Sequence, residues 1–247
     1  MASKLRRLVI LGVVTAVGSW YATLQVFGQR AEGPMEVPPL SYDTVEQQID
    51  QNGNVVVETY TKHAVRRDGS TVRIMNYREA DGTPTEMRQI TDVSQGNDMW
   101  VNSGLEIVTT YLFESSAADW IRSQLQCARD SAAPRSTILG HEVVLETIAS
   151  PIGTQQAEIW WAPALGCIAL VETHTRVEDG MRLVRHVENL RLGEPDETLF
   201  MVPSSYEEAS PAEASRLAGE RFGSTVLGAD HPGMLRLEER YAQSRRQ

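Results

Sequence analysis

Three Asp-Gly pairs, Asp68-Gly69, Asp81-Gly82 and Asp179-Gly180, stand between runs of β-branched or alternating residues. Glycine accepts the positive φ of a tight hairpin turn, so each pair predicts two antiparallel strands meeting at that point. Strand follows strand from about residue 41. Val55–Val65, Thr71–Tyr77 and Glu86–Thr91 surround the first two pairs, and Trp100-Val101 and Leu105–Phe113 flank the turn Asn102-Ser103-Gly104. A second run covers 136–192. It holds Thr137–Ile148, a turn at Pro151-Ile152-Gly153-Thr154, Ala157–Trp161, and a hairpin of Cys167–Val177 with Met181–Leu192. The spacing between the Asp-Gly pairs is irregular, so they mark hairpins and not an internal repeat. The fold class expected is all-β to α+β, an antiparallel sheet with few helices.

One helix interrupts the strands. Ser116 can cap it with Asp119 three residues on, and Trp120, Ile121, Leu125 and Ala128 then fall on one side. A second starts where Ser210 caps and Pro211 takes the first helical position, and it runs to about Phe222. Residues 223–247 are polar and read as a loosely held helix or a disordered tail.

The N-terminus sets the compartment. Lys4, Arg6 and Arg7 precede an apolar run from Leu8 to Phe27, the layout of a secretory signal. The same run, roughly 20 residues long, also suffices for a membrane-spanning helix. Residues 1–28 therefore read as a signal peptide or an uncut anchor. Either way positive charge stays in the cytoplasm and the rest is exported, to the periplasm or the extracytoplasmic side of the inner membrane. Residues 29–40, with Gly33, Pro34, Pro38 and Pro39, read as a linker, 41–206 as the sheet domain, and 207–247 as a helical tail. Cys127 and Cys167 are the two cysteines, and an exported chain with an even count is expected to form a disulfide. Two separate buried thiols are the alternative. The formal net charge is −10, which makes a nucleic-acid partner improbable because the body repels phosphate backbones.

Catalytic signatures are missing: there is no G-x-S-x-G elbow, no phosphate loop, no G-x-G-x-x-G and no H-E-x-x-H. Glu172, His174, His186 and Glu188 form the best candidate metal set, provided one face carries them. A three-residue turn pairing Val177 with Met181 would put all four on one side, together with Arg176 and Arg182. That mixture reads as a cross-strand charge ladder in preference to a metal site. His63 and His231 have no partner that the sequence identifies. No cofactor is implied. Trp100, Trp120, Trp160 and Trp161 are the candidate ligand-binding residues, with core packing as the plainer reading. Trp160 and Trp161 adjoin on a strand, so one of them must point away from the core.

Three stretches occur in a telling order: Ile138-Leu139-Gly140-His141-Glu142-Val143, then Glu158 to Cys167 with its Trp-Trp pair, then Leu199-Phe200-Met201-Val202-Pro203 with Tyr206. This order resembles exported bacterial proteins with a LolA-like build, the fold of periplasmic lipoprotein carriers. The resemblance spans about residues 50–206. It implies a strongly curved antiparallel sheet, an open half-barrel, with helices on its concave side. It also implies a non-enzymatic role in binding acyl chains or lipoproteins, or in envelope sensing. The expected function is thus an envelope protein binding an apolar ligand or a lipidated protein. The alternative is a membrane-held domain that binds a protein partner as a scaffold or sensor.

Overall fold

The computed structural model describes residues 38–79, 81–112, 132–149, 155–223 and 232–246. The chain divides into two units, Met1–Gly33 and Pro34–Gln247, and everything below concerns the second. The helix expected at 116–128, with Trp120 and Cys127, lies outside the described residues, as does the turn at 151–154.

Among the described residues twelve strands build a single open sheet. They are β1 (Leu40–Ile49), β2 (Val55–Val65), β3 (Thr71–Arg78), β4 (Pro84–Asp92), β5 (Asn97–Asn102) and β6 (Ile107–Leu112). The second set is β7 (Arg135–Ile138), β8 (His141–Ala149), β9 (Gln155–Ala162), β10 (Ile168–Arg176), β11 (Arg182–Leu192) and β12 (Glu207–Glu208). Their order is β12-β6-β5-β4-β3-β2-β1-β11-β10-β9-β8-β7. Two antiparallel meanders, β1–β6 and β7–β11, therefore meet along the β1–β11 pair, and only β12 runs parallel, beside β6. Helices α1 (Pro211–Phe222) and α2 (Pro232–Ser244) follow.

Aspartates shape the turns. Gly69, Gly82 and Gly180 all take positive φ, and in each turn the aspartate before the glycine accepts a backbone N–H from beyond it: Asp68 from Ser70 at 2.8 Å, Asp81 from Thr83 at 2.8 Å, Asp179 from Met181 at 3.1 Å. Asp50 and Asp92 do the same at two further hairpins, accepting from Asn52 and Ser94. Such side-chain bonds imitate a backbone turn and favour these residues there. Five of the 33 acidic residues thus serve turn chemistry.

Three expectations change. Thr137–Ile148 is two strands, because Leu139 and Gly140 both take positive φ and reverse the chain between Ile138 and His141. The segment 223–247 holds α2, which is docked: its Met234 is buried, and Ser244 Oγ donates to the Thr110 carbonyl at 3.0 Å. The β10–β11 turn has four residues, since Arg176 N–H donates to the Met181 carbonyl and Thr175 pairs with Arg182. That register is shifted by one from the one expected, and a one-residue slip sends every side chain of a strand to the other face.

The core has two centres. Leu40, Val65, Val143, Ala162, Leu165, Leu170 and Val187 pack where the two meanders join. Ala64, Val72, Ile74, Ile90, Val101 and Val108 form the second, across β2–β6. These six lie in two cross-strand rows of one face, and Leu199, Phe200, Val202 and Tyr206 pack on them like a strap. After the strap the chain pairs as β12 along the β6 edge and enters α1, capped by Ser210 at 3.2 Å to Glu213 N–H. The helices then meet the opposite face. The Arg240 guanidinium lies over the Tyr111 ring at 5.4 Å, and Phe222 reaches Gly104. A Cβ on Gly104 would stand 3.1 Å from Phe222 Cζ and 2.7 Å from Thr85 Oγ1, so glycine is what lets α1 and β4 both come this close.

Candidate functional site

Residues paired across antiparallel strands share a face, so the register sorts the side chains into rows. On the helix face one row runs Tyr42–His63–Arg73–Gln89–Trp100 across β1 to β5. Next to it runs Thr44–Thr61–Met75–Met87–Asn102. Arg73 is exposed; Tyr42, His63, Gln89, Trp100, Met75 and Met87 are half-buried. Continuing onto the second meander, Glu46, Arg185, Glu172 and Ile159 form one row, and Gln48, Val57, Leu183, His174 and Ala157 another. The helix face is amphipathic, with cations and aromatics between aliphatic and thioether side chains.

His63 does have a partner. Its ring stacks on Tyr42 with centroids 4.7 Å apart and planes 4° from parallel, and Nε2 shares a 3.0 Å hydrogen bond with Thr44 Oγ1. Desolvation, helped by Arg73 and Arg185, pulls its pKa down to about 3, so the imidazole is neutral at ordinary pH. Burial pushes Tyr42 up to about 12 against the pull of the same two arginines. Neutral ring pairs beside a cation suit binding and not proton transfer near neutrality.

Two buried carboxylates flank this region. Asp98 accepts from Thr91 at 3.1 Å, from Trp100 Nε1 at 3.2 Å and from Gln89 at 3.3 Å. Desolvation nevertheless raises its pKa, more than these neutral donors and Arg240 lower it. Glu172 accepts from His174 and, at 3.0 Å, from Arg185, whose other nitrogen donates to Glu46. Burial works to raise Glu172, but the His174 bond and the Arg185 charge outweigh it and hold the carboxyl below its ordinary value.

The candidate metal set, expected as a charge ladder on one face, comes apart. His174 pairs with Leu183, while His186 pairs with Val171, so the two histidines and their carboxylates stand on opposite faces. Each histidine instead bonds its own strand neighbour, His174 to Glu172 and His186 to Glu188 at 3.1 Å. No metal-ligating cluster occurs among the described residues.

The tryptophans separate too. Trp100 joins the helix-face row. Trp161, paired with Val144 and Ala169, donates to Glu146 at 2.6 Å. Trp160 points the other way, paired with Leu145 and Val171, and packs on the first core centre. Cys167 is buried and is not a free thiol. A cavity of about 270 Å³ lies under the strap, lined by Arg66, Ser70, Ile90 and Phe200, with the Arg66 guanidinium 4.0 Å from the Phe200 ring centre. It is below the ~300–1,000 Å³ of ligand pockets, so the open helix face is the better candidate.

Among solved structures the chain is similar to a LolA superfamily protein from Nitrosomonas europaea (TM-score 0.28, 5% identity, covering 66% of this chain and 90% of that one). It is also similar to the MucA/MucB complex of Pseudomonas aeruginosa (0.33, 14%, 70% and 59%) and to PNGF-II (0.40, 9%, 72% and 32%). The chain thus spans a third of PNGF-II and under two thirds of the matched Pseudomonas chain. No protein-family model matches it, and no curated protein matches it in sequence. Tyr42, His63, Arg73 and Gln89 were not legible as site residues, because only a register across five strands brings them to Trp100. Among the described residues no helix is long and apolar enough to cross a membrane, and residues 1–37 lie outside them.

Proposed function

We propose that the chain is a non-enzymatic cell-envelope protein that holds an amphiphile, a lipid or the lipidated end of another protein, on a curved helix face of its sheet. The observation that carries this reading is the juxtaposition of exposed Arg73 with half-buried Met75, Met87 and Trp100 on neighbouring strands. A cation takes an anionic or strongly dipolar head group, while thioethers and indole adapt to an irregular apolar chain. Residues 1–28 deliver the domain across the membrane and either anchor it or are removed. A Cys127–Cys167 disulfide, closing a loop of about 40 residues, adds on the order of 3–4 kcal/mol in the chain-entropy model.

Native mass spectrometry of the full chain purified from membranes tests the ligand reading. The expected spectrum contains a lipid adduct on the wild type that is lost or at least fivefold weaker in Arg73→Ser. An adduct-free wild-type spectrum, or equal adducts in both, overturns it. Peptide mapping without reductant checks the disulfide, which predicts a linked Cys127–Cys167 peptide.

A further inference from the structure

The second face of the β1–β11 seam holds a separate feature. Tyr60, Val45, His186, Val171, Trp160 and Leu145 are successive cross-strand partners over six strands, from β2 through β1, β11, β10 and β9 to β8. At about 4.8 Å per strand the stripe is roughly 24 Å long. The strap does not reach it: the second core centre, on which the strap packs, lies on β2 to β6. Tyr60 is 57% exposed, and His186, Val171, Trp160 and Leu145 are half-buried over a fully buried Val45. An exposed aromatic at the end of a half-open apolar row is unusual for a surface facing only water.

The rows on either side are acidic. Glu58 and Glu158 occupy the row on one flank, as partners of Gln47 and Thr173. On the other flank Asp43 and Glu188 pair with each other, and Lys62 is the partner of Asp43, its row running on through Ile74 to Arg88 on β4. The Glu58 carboxylate is held by the Tyr60 hydroxyl and by Gln47 at 2.6 Å, and His186 bonds Glu188. Carboxylates thus flank a stripe of aromatic and aliphatic side chains on both sides.

We infer that this stripe is a docking surface for a cationic amphipathic segment of another protein, with apolar side chains seated between Tyr60 and Trp160 and its lysines or arginines against Glu58, Glu158 and Glu188. Charge complementarity selects this occupant: among the described residues the two flanking rows set four carboxylates against Lys62 over the strands of the stripe, which repels anionic lipid surfaces and acidic peptides. A segment of about 16 residues in a helix spans the stripe. The site lies on the face opposite to Arg73 and Trp100, so ligand and partner do not compete for the same side chains.

Titration of the full chain with a fluorescent 16-residue amphipathic peptide of leucine and lysine, read by anisotropy, tests this. The expected result is binding that weakens at least tenfold in Tyr60→Ser and at least fivefold in Glu58→Gln/Glu188→Gln. The matched pair Glu197→Gln/Glu220→Gln, away from the stripe, and Trp100→Phe should stay within twofold of wild type. Circular dichroism confirms that each variant folds. No binding, or equal loss in the two charge pairs, overturns the inference and leaves only non-specific attraction to an acidic protein. A wild-type dimer in sedimentation that Tyr60→Ser dissociates also overturns it, because the occupant is then a second copy. Because Trp100→Phe and Arg73→Ser report on the other face, failure here leaves the lipid reading standing, and the reverse holds.

Discussion

Asp98 on β5 and Glu172 on β10 are carboxylates of nearly equal burial, 7% and 6% exposed, yet they shift in opposite directions. Asp98 is surrounded by neutral donors, with Arg240 as a weaker influence, and its pKa rises. Glu172 touches Arg185 and His174, and its pKa falls. Hydrogen bonds from neutral groups do not repay the desolvation of an ion, whereas a full charge in contact does. The first meander therefore tolerates a strained acid under its helices, while the seam between the meanders is built on ion pairs.

Breaking the seam should have the largest effect. Arg185→Met leaves Glu46 and Glu172 facing each other without their cation and is expected to cost roughly 3 kcal/mol in urea unfolding at neutral pH. A loss below about 1 kcal/mol would mean that the ion pairs do little to hold the meanders together. Glu172→Gln keeps the shape and removes the charge, with an expected cost of about 1.5–2 kcal/mol. The depressed carboxyl stabilises the fold above its unfolded pKa, so that cost should fade as pH falls through the folded value. The smallest effect has the opposite sign. Asp98→Asn should stabilise by about 1 kcal/mol at neutral pH. The raised carboxyl contributes fully below the ordinary aspartate value and loses that contribution as pH rises through its folded value, so the gain should vanish in acid. Destabilisation by Asp98→Asn at pH 7 would show that the carboxylate is needed by Trp100 and Thr91.

The hairpins were legible because Asp-Gly states its turn geometry locally. Asp50 and Asp92 make equivalent turns, but their glycines, Gly53 and Gly96, come three and four residues later and leave no dipeptide signal. β1 was the least distinct strand, since Asp43, Glu46, Gln47 and Gln48 blur its alternation. Those polar residues serve the seam, where Glu46 meets Arg185, so the strand most central to the sheet is also the least strand-like. The β10–β11 register differs from the expected one by one residue, because a three-residue turn gives the cleaner apolar face in the sequence, and that residue decides whether His174 and His186 meet. α2 was undervalued because its contact with β6 rests on few apolar side chains, Met234 foremost.

The two faces of one sheet are proposed to bind different things. The indole N–H resonances of Trp100 and Trp160 report one face each, and can be assigned with Trp100→Phe and Trp160→Phe. Titrating the full chain with a short-chain anionic phospholipid should move the Trp100 signal and leave Trp160 within its line width. Movement of Trp160 with a stationary Trp100, or of neither, would contradict the division of labour proposed for this sheet.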